Sequence, residues 1–493
     1  MKKRTLACVL LACMLASCSS VGNTDNLESN AVSSNENVTA EESIQVEETE
    51  ETLAAPDLPS DIDFGGKTFT FGVVDNENAR NPIVMEELTG EVLNDAQFNT
   101  IQETNEALNV KVAEYLMTSG YPASQDVINT VTAGDDVIQV ANIFCAGIPS
   151  VLKGGYVLSY NDVPYLDLSN EWWDQKVNDA LVIAGIRYAV NGDLNITTHD
   201  LTYALLFSKN QISDYQMESP YDLVTSGKWT MDKMSEYMVM VTRDADGDGE
   251  FTDQDNYGYA SSTKMTLPSF WIGAGETTIT LNEEEIPTPS MDDERFNDVI
   301  QKIFAITYDT GVRYKNTNEN DVPSDVITLF ESNRVLFMDC SLYHIGIMRD
   351  SDTDFGIIPY PKYDETQESY CARVSYFMPS VMPSTNKDLE LIGAVLEYAN
   401  YRAKINITPA YYDITLKGKV SRDAESVDML DLLLANRVVD LGDTLFCASV
   451  RDGFFTDMYR NDNRNLASTL KTRNKILNKE IEKMVSGLTE SAQ

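Results

Sequence analysis

Apolar and polar residues alternate in FGGKTFTF at 64–71, a glycine turn running into a predicted strand. Helical spacing follows at 94–108, a second strand is predicted at 110–115, and a second helix at 124–133 closes on Gly134. A strand at 137–143 completes the series. Strands alternating with helices predict α/β layers around a mainly parallel sheet. Beyond them the pattern predicts a helix at 148–160 closed by Gly154-Gly155, a hairpin at 185–192 and a short apolar strand at 204–207. Thr230 is placed to cap a helix whose apolar face is Met231, Met234, Met238 and Val241, with Trp229 packed at its start. The segment 270–275 reads as a glycine-rich loop and Asn282 as the tip of a small hairpin. Helices are predicted at 294–310, 322–331, 387–401, 426–434 and 469–484, and strands at 335–338 and 355–361.

The first 60 residues break this pattern. Lys2, Lys3 and Arg4 precede the apolar stretch 5–14, and Leu15-Ala16-Ser17-Cys18 has the form of a lipobox, so residues 1–18 are read as a lipoprotein signal peptide with Cys18 as the acylated residue. Residues 19–60 contain no aromatic residue, no Lys and no Arg, and read as a disordered acidic tether. No other stretch reaches the roughly 18 apolar residues of a membrane span, which leaves the lipid anchor as the expected attachment. The net charge is −41, and residues 61–493 still carry 34 basic against 68 acidic residues. That balance rules against nucleic acid and against an anionic membrane surface as partners, and suits neutral sugars, cationic ligands or metal ions.

One segment carries a metal signature. In DADGDGEFTDQD, Asp244, Asp246 and Asp248 stand at positions 1, 3 and 5, Gly249 at 6, Glu250 at 7 and Asp255 at 12. This is the spacing of a calcium loop, with Phe251 as the apolar residue such loops bury, and it predicts a structural Ca2+. The same acids and glycines also suit a plain surface turn. Catalytic signatures are absent: His199 and His344 sit in no nucleophile or metal motif, and no phosphate-binding glycine motif occurs. With 78 acidic residues, carboxylate pairs carry no information about glycoside hydrolysis. Cys145, Cys340, Cys371 and Cys447 are widely spaced, which leaves a disulfide and buried free thiols both open.

In order along the chain, LNDAQFNTIQETNEALNVKV, AGDDVIQVAN, WWDQKVNDALVIAGIRYAVNGDL, PYDLVTSGKWTMDKMSEYM, DADGDGEFTDQDNYGYA, FGIIPYPKYDETQESY and RDAESVDMLDLLL resemble bacterial extracellular solute-binding proteins of the family 1 type, the sugar-capturing lipoproteins of ABC importers. The chain departs from them at Ile138-Gln139, where Tyr-Asp is usual, and at Ser208-Lys209, where Asn-Lys is usual. The resemblance implies a periplasmic-binding-protein-like clamshell of type II form. Its first α/β lobe would be residues 61–205 plus 373–412, and its second 206–372 plus 413–493. It implies a monomeric, non-enzymatic receptor on the extracellular face of the cell membrane, delivering an oligosaccharide to the transmembrane subunits of an ABC permease. A cell-surface glycoside hydrolase and a glycan-binding lipoprotein without a permease are the alternatives. A sugar site needs aromatic faces beside acids and amides. The mapping places Trp271, Tyr343 and Asp339 at the cleft, and Asp200 and Tyr203 just before the first crossing. Trp172 and Trp173 join them because neighbours on a strand cannot both enter one core.

Overall fold

The computed structural model describes residues 53–74, 82–120, 122–315, 324–348, 351–412 and 423–491. The expected signal peptide with Cys18, and most of the expected tether, lie outside them. The fold described below belongs to the compact unit Ala55–Gln493.

Two mixed sheets organise this unit. In the first, Lys67–Val74 runs parallel to Val110–Met117 on one side and to Val140–Asn142 on the other. Ser380–Pro383 then adds antiparallel to Val140–Asn142, and pairs in turn with Val157–Leu158 and Ala189–Val190. Phe69, Phe71 and Val73 alternate into the core, as the pattern required. The second sheet has the order Phe355–Ile358, Tyr203–Ser208, Val335–Ser341, Tyr257–Ala260, with only the last pair parallel. The expected mainly parallel sheet is therefore mixed, because late strands return antiparallel to each early set. The strands YALLFS and VLFMDCS are buried at every residue, the mark of central strands covered on both faces.

Three passages of chain meet between the sheets. Thr202 pairs antiparallel with Val374, and Ala372–Arg373 pairs parallel with Arg437–Val438. Leu342 donates its amide to the Thr202 carbonyl at 2.9 Å, and Cys145 donates to Phe377 at 3.0 Å. These short ladders are the backbone of the crossing.

Most elements lie where the periodicity puts them. Thr230 caps Met231–Val241 by accepting from the Lys233 amide, and Trp229 is buried, donating to the Pro359 carbonyl. The segment 148–160 is not one helix. Ile148–Lys153 stops at Gly154, Gly155 takes φ 65°, and the chain turns into the strand Val157–Leu158. The terminal helix is longer than expected, Leu466–Ser491, and buries Leu466, Leu470, Leu477, Ile481, Met484 and Leu488. Its Gly487 lies so close to Lys153 that a Cβ would stand 2.3 Å from that carbonyl oxygen.

Candidate ligand-binding cleft

Where the crossings meet, the sequence places an alternating series of charges. Arg373 ends the strand Ala372–Arg373 and holds Asp443 through two bonds, Nε to Oδ2 at 2.6 Å and Nη2 to Oδ1 at 2.8 Å. Arg451 donates to the same carboxylate at 3.1 Å, to the Asp443 carbonyl at 2.9 Å and to the Ser375 hydroxyl at 3.2 Å. It also binds Asp452 at 2.8 Å, and Asp452 stands 3.6 Å from the ammonium of Lys264. The series Arg373–Asp443–Arg451–Asp452–Lys264 thus runs from a fully buried end to a half-exposed one.

Local structure aims each member. Arg451 and Asp452 lie in the π-helical stretch Ala448–Thr456, where the Asp452 amide bonds five residues back to the Cys447 carbonyl. Such wide turns recur at functional sites because they re-aim side chains. Lys264 is in the first turn of Thr263–Gly273, capped by the Ser262 hydroxyl. Burial acts to lower the Arg373 pKa, but the Asp443 carboxylate outweighs it and the guanidinium stays firmly charged.

Tyr376 is set over the open end of the series. The Arg451 guanidinium lies 4.4 Å from its ring centroid and the Lys264 ammonium 5.6 Å. Its backbone takes φ 63°, a left-handed conformation that costs a non-glycine residue roughly 1–3 kcal/mol and recurs at ligand clamps. The ring is half-buried, and the two cations beside it both hold the Asp452 carboxylate, so an aromatic surface lies next to charged donors and an acceptor. That is what the face and hydroxyls of a sugar ring require.

The expected ligand residues fall elsewhere. Trp271 is not beside a loop: it lies in the helix Thr263–Gly273, fully buried between Phe296 and Phe455, donating to Asp440 at 2.9 Å. Asp339 is buried and accepts from Ser261 and Ser269, and burial pushes its carboxyl up to about 6. Trp172 ends a turn and Trp173 makes an isolated bridge to Gly192 rather than a continuous strand, so both enter the core. Trp172 packs edge-on against Tyr401, and Trp173 donates to Glu397 at 3.0 Å. Tyr203 is buried beneath the Arg373 guanidinium at 4.3 Å. Asp200 accepts from the Tyr411 hydroxyl at 2.6 Å; Tyr411 and His199 line an enclosed cavity of about 170 Å3. Tyr343 is half-buried, edge-on to His344. Of the seven, only Tyr203 contacts the charge series directly among the contacts described. Lys264, Tyr376, Arg451 and Asp452 carried no sequence signal, since none lies on a periodic face or in a motif.

The acidic loop folds on itself. Asp244 accepts from the amides of Gly247 and Gly249, and Asp255 from those of Ala245 and Thr252. The Thr252 amide, and then that of Ala245, hold the Asp255 pKa below its usual value. Oxygens of Asp244, Asp246 and Asp255 come within 4.8 Å of one another, a fit for a hard cation, while Asp248 and Glu250 do not join the group. Phe251 is 54% exposed rather than buried, resting edge-on against Tyr257. All four cysteines described are free thiols.

No protein-family model and no curated protein matches the chain. Solved structures do match it. A cyclic alpha-maltosyl-1,6-maltose binding protein from Arthrobacter globiformis is 14% identical with TM-score 0.58, covering 85% of this chain and 99% of that one. An ABC substrate-binding protein from Listeria monocytogenes, in complex with cycloalternan, is 11% identical with TM-score 0.55, over 85% and 99%. A family 1 extracellular solute-binding protein from Bifidobacterium longum subsp. infantis is 13% identical with TM-score 0.55, over 83% and 99%. The chain therefore has the two-lobed α/β clamshell fold of the extracellular solute-binding proteins.

Proposed function

We propose that the protein is a monomeric extracellular receptor that captures an oligosaccharide and presents it to the transmembrane subunits of an ABC importer. Tyr376, half-buried with the Lys264 and Arg451 cations over its ring and Asp452 paired to both of them, carries this reading. Neighbours in fold are named for maltose-type and cyclic oligosaccharides, which supports a carbohydrate. The lobes are assigned as residues 61–205 plus 373–412 and 206–372 plus 413–493. Ligand bound to both would favour the closed arrangement by its differential affinity, and no chemical step is needed. The buried charge series keeps the three crossings in register while the lobes turn. Acylation at Cys18 would hold the receptor at the outer face of the membrane. A Ca2+ ion on Asp244, Asp246 and Asp255 would brace the acidic loop as a structural element.

Calorimetric titration against a glycan panel, with reducing ends followed in parallel, tests the reading. Heat of binding without release of reducing ends supports a receptor, whereas catalytic turnover would make the protein a glycoside hydrolase. Calorimetry is preferred to tryptophan fluorescence because all four tryptophans are buried.

A further inference from the structure

We propose that the cavity beside His199 binds a small neutral aromatic alcohol, of the phenol class. The cavity holds about 170 Å3, and its walls include His199, Tyr411, Tyr412, Ile196 and Leu434. The short helix Thr197–Asp200 brings His199 there, with the Thr197 amide held by Asn195 at 3.1 Å, and the imidazole meets the Tyr411 ring edge-on at 5.9 Å. Asp193, on the same wall, stands 3.2 Å from the Lys404 ammonium, and the Tyr411 hydroxyl donates to Asp200 at 2.6 Å. His199 has no such partner. Neither ring nitrogen makes a hydrogen bond among the described residues, and Nδ1 is sealed off, which leaves Nε2 for a guest. An enclosed polar group without a partner in the protein is usually met by ordered water or a ligand.

Charge, size and hydrogen bonding decide the kind of guest. A cation would meet Lys404 and Arg437, and an anion would meet Asp193, Asp200 and Asp174; Asp193 and Asp174 are already paired, with Lys404 and with Arg437. A neutral guest avoids both conflicts. Burial, and then the charges of Arg437 and Lys404, push the imidazole pKa well below its usual value, so the ring is uncharged and Nε2 either donates or accepts. A hydroxyl answers either role. A dry cavity of about 150 Å3 lined by apolar side chains takes benzene, and this one has room for a ring and one hydroxyl. Water would need about 30 Å3 and two to four polar partners for each molecule, which these mainly apolar walls do not supply. The Thr202 amide bonds to the His199 carbonyl at 3.0 Å, and Thr202 pairs with Val374 at the crossing. A guest there would bias how the lobes turn, a consequence that rests on the receptor reading; the site itself does not.

The full chain is titrated by calorimetry with phenol and with benzene, in the absence of sugar. Saturable binding of phenol at one site is expected, with benzene roughly fivefold weaker for want of the hydrogen bond. His199→Phe should erase that preference, and Leu434→Trp, which fills the space, should abolish binding of both. Leu434 is half-buried, and a cooperative melting curve will confirm that its variant folds. Heats that do not saturate mean that the cavity holds water only, and overturn the proposal. Binding unaltered by Leu434→Trp places phenol elsewhere and also overturns it. Equal affinity of the unmodified chain for phenol and benzene removes His199 from the site, with the same result. Because no sugar is present, failure here is separate from failure of the glycan titration.

Discussion

Replacing Asp443 by Asn tests whether the crossing is held by the charge series. The substitution preserves shape and removes one negative charge from between two buried guanidinium groups. Arg451 keeps Asp452, the Ser375 hydroxyl and the carbonyl of residue 443. Arg373 keeps one amide oxygen at residue 443, the Tyr203 ring at 4.3 Å, the Met265 sulfur at 3.1 Å and the field of Asp339, but loses the charge that its two bonds met. An arginine cannot shed its proton to escape burial. Removing one partner of a buried pair costs about 3–5 kcal/mol, a large part of the roughly 5–15 kcal/mol by which a folded domain is stable. Urea unfolding should therefore show a lowered midpoint with an unchanged slope, since the surface exposed on unfolding is the same. Adding Arg373→Leu to the variant should restore part of the loss, because the uncompensated cation is then gone. A loss below about 1 kcal/mol, or a double variant less stable than Asp443→Asn alone, would refute the reasoning.

Tyr376→Ala should weaken sugar binding about 3–10-fold, the worth of an aromatic face, with little change in melting temperature. Trp271→Phe should do the reverse: it deprives Asp440 of a buried donor, costing about 1–3 kcal/mol of stability, and leaves calorimetric affinity unchanged. Asp339 has a folded pKa raised to about 6 from 3.8, so its stabilising contribution is complete below pH ~4 and is lost as pH rises through ~6. Its loss amounts to about 3 kcal/mol at most, and Asp339→Asn should remove it from the profile of urea midpoint against pH; an unaltered profile would show that the carboxyl is not desolvated. Calcium at about 100 times its Kd should stabilise the protein by about 2.7 kcal/mol, and Asp255→Asn should abolish the rise in melting temperature. If chelator leaves the wild-type melting curve unchanged and no ion copurifies, the loop is only a turn.

Elements with one exposed face could be read from the chain. The alternation at the start of Lys67–Val74, before the strand becomes buried on both faces, and the apolar stripe of Met231–Val241 each follow from burial on one side and water on the other. Thr263–Gly273 could not be read this way. Ten of its eleven residues are buried, so no 3.6-residue period survives, and Pro268 within it looks like a breaker. That single misreading turned Trp271 from a core residue into an expected ligand contact. The two adjacent tryptophans failed for a related reason: the rule about alternate faces holds for strands, whereas Trp172 ends a turn and Trp173 makes only a single isolated bridge.

The candidate site was illegible for a deeper reason. Its members, Lys264, Arg373, Tyr376, Asp443, Arg451 and Asp452, come from three passages of chain and share no local pattern. Their types are also those that sequence reasoning assigns to the surface, since Arg and Asp are rarely buried unless paired. Here pairing is what permits burial, and pairing is a property of the crossing rather than of any segment. Asp443 can lie at 0% exposure only because Arg373 and Arg451 reach it from either side. The sequence thus discloses the layers, whose periodicity is local. It conceals the place where they join, because the charges that join them compensate one another only after the chain has folded.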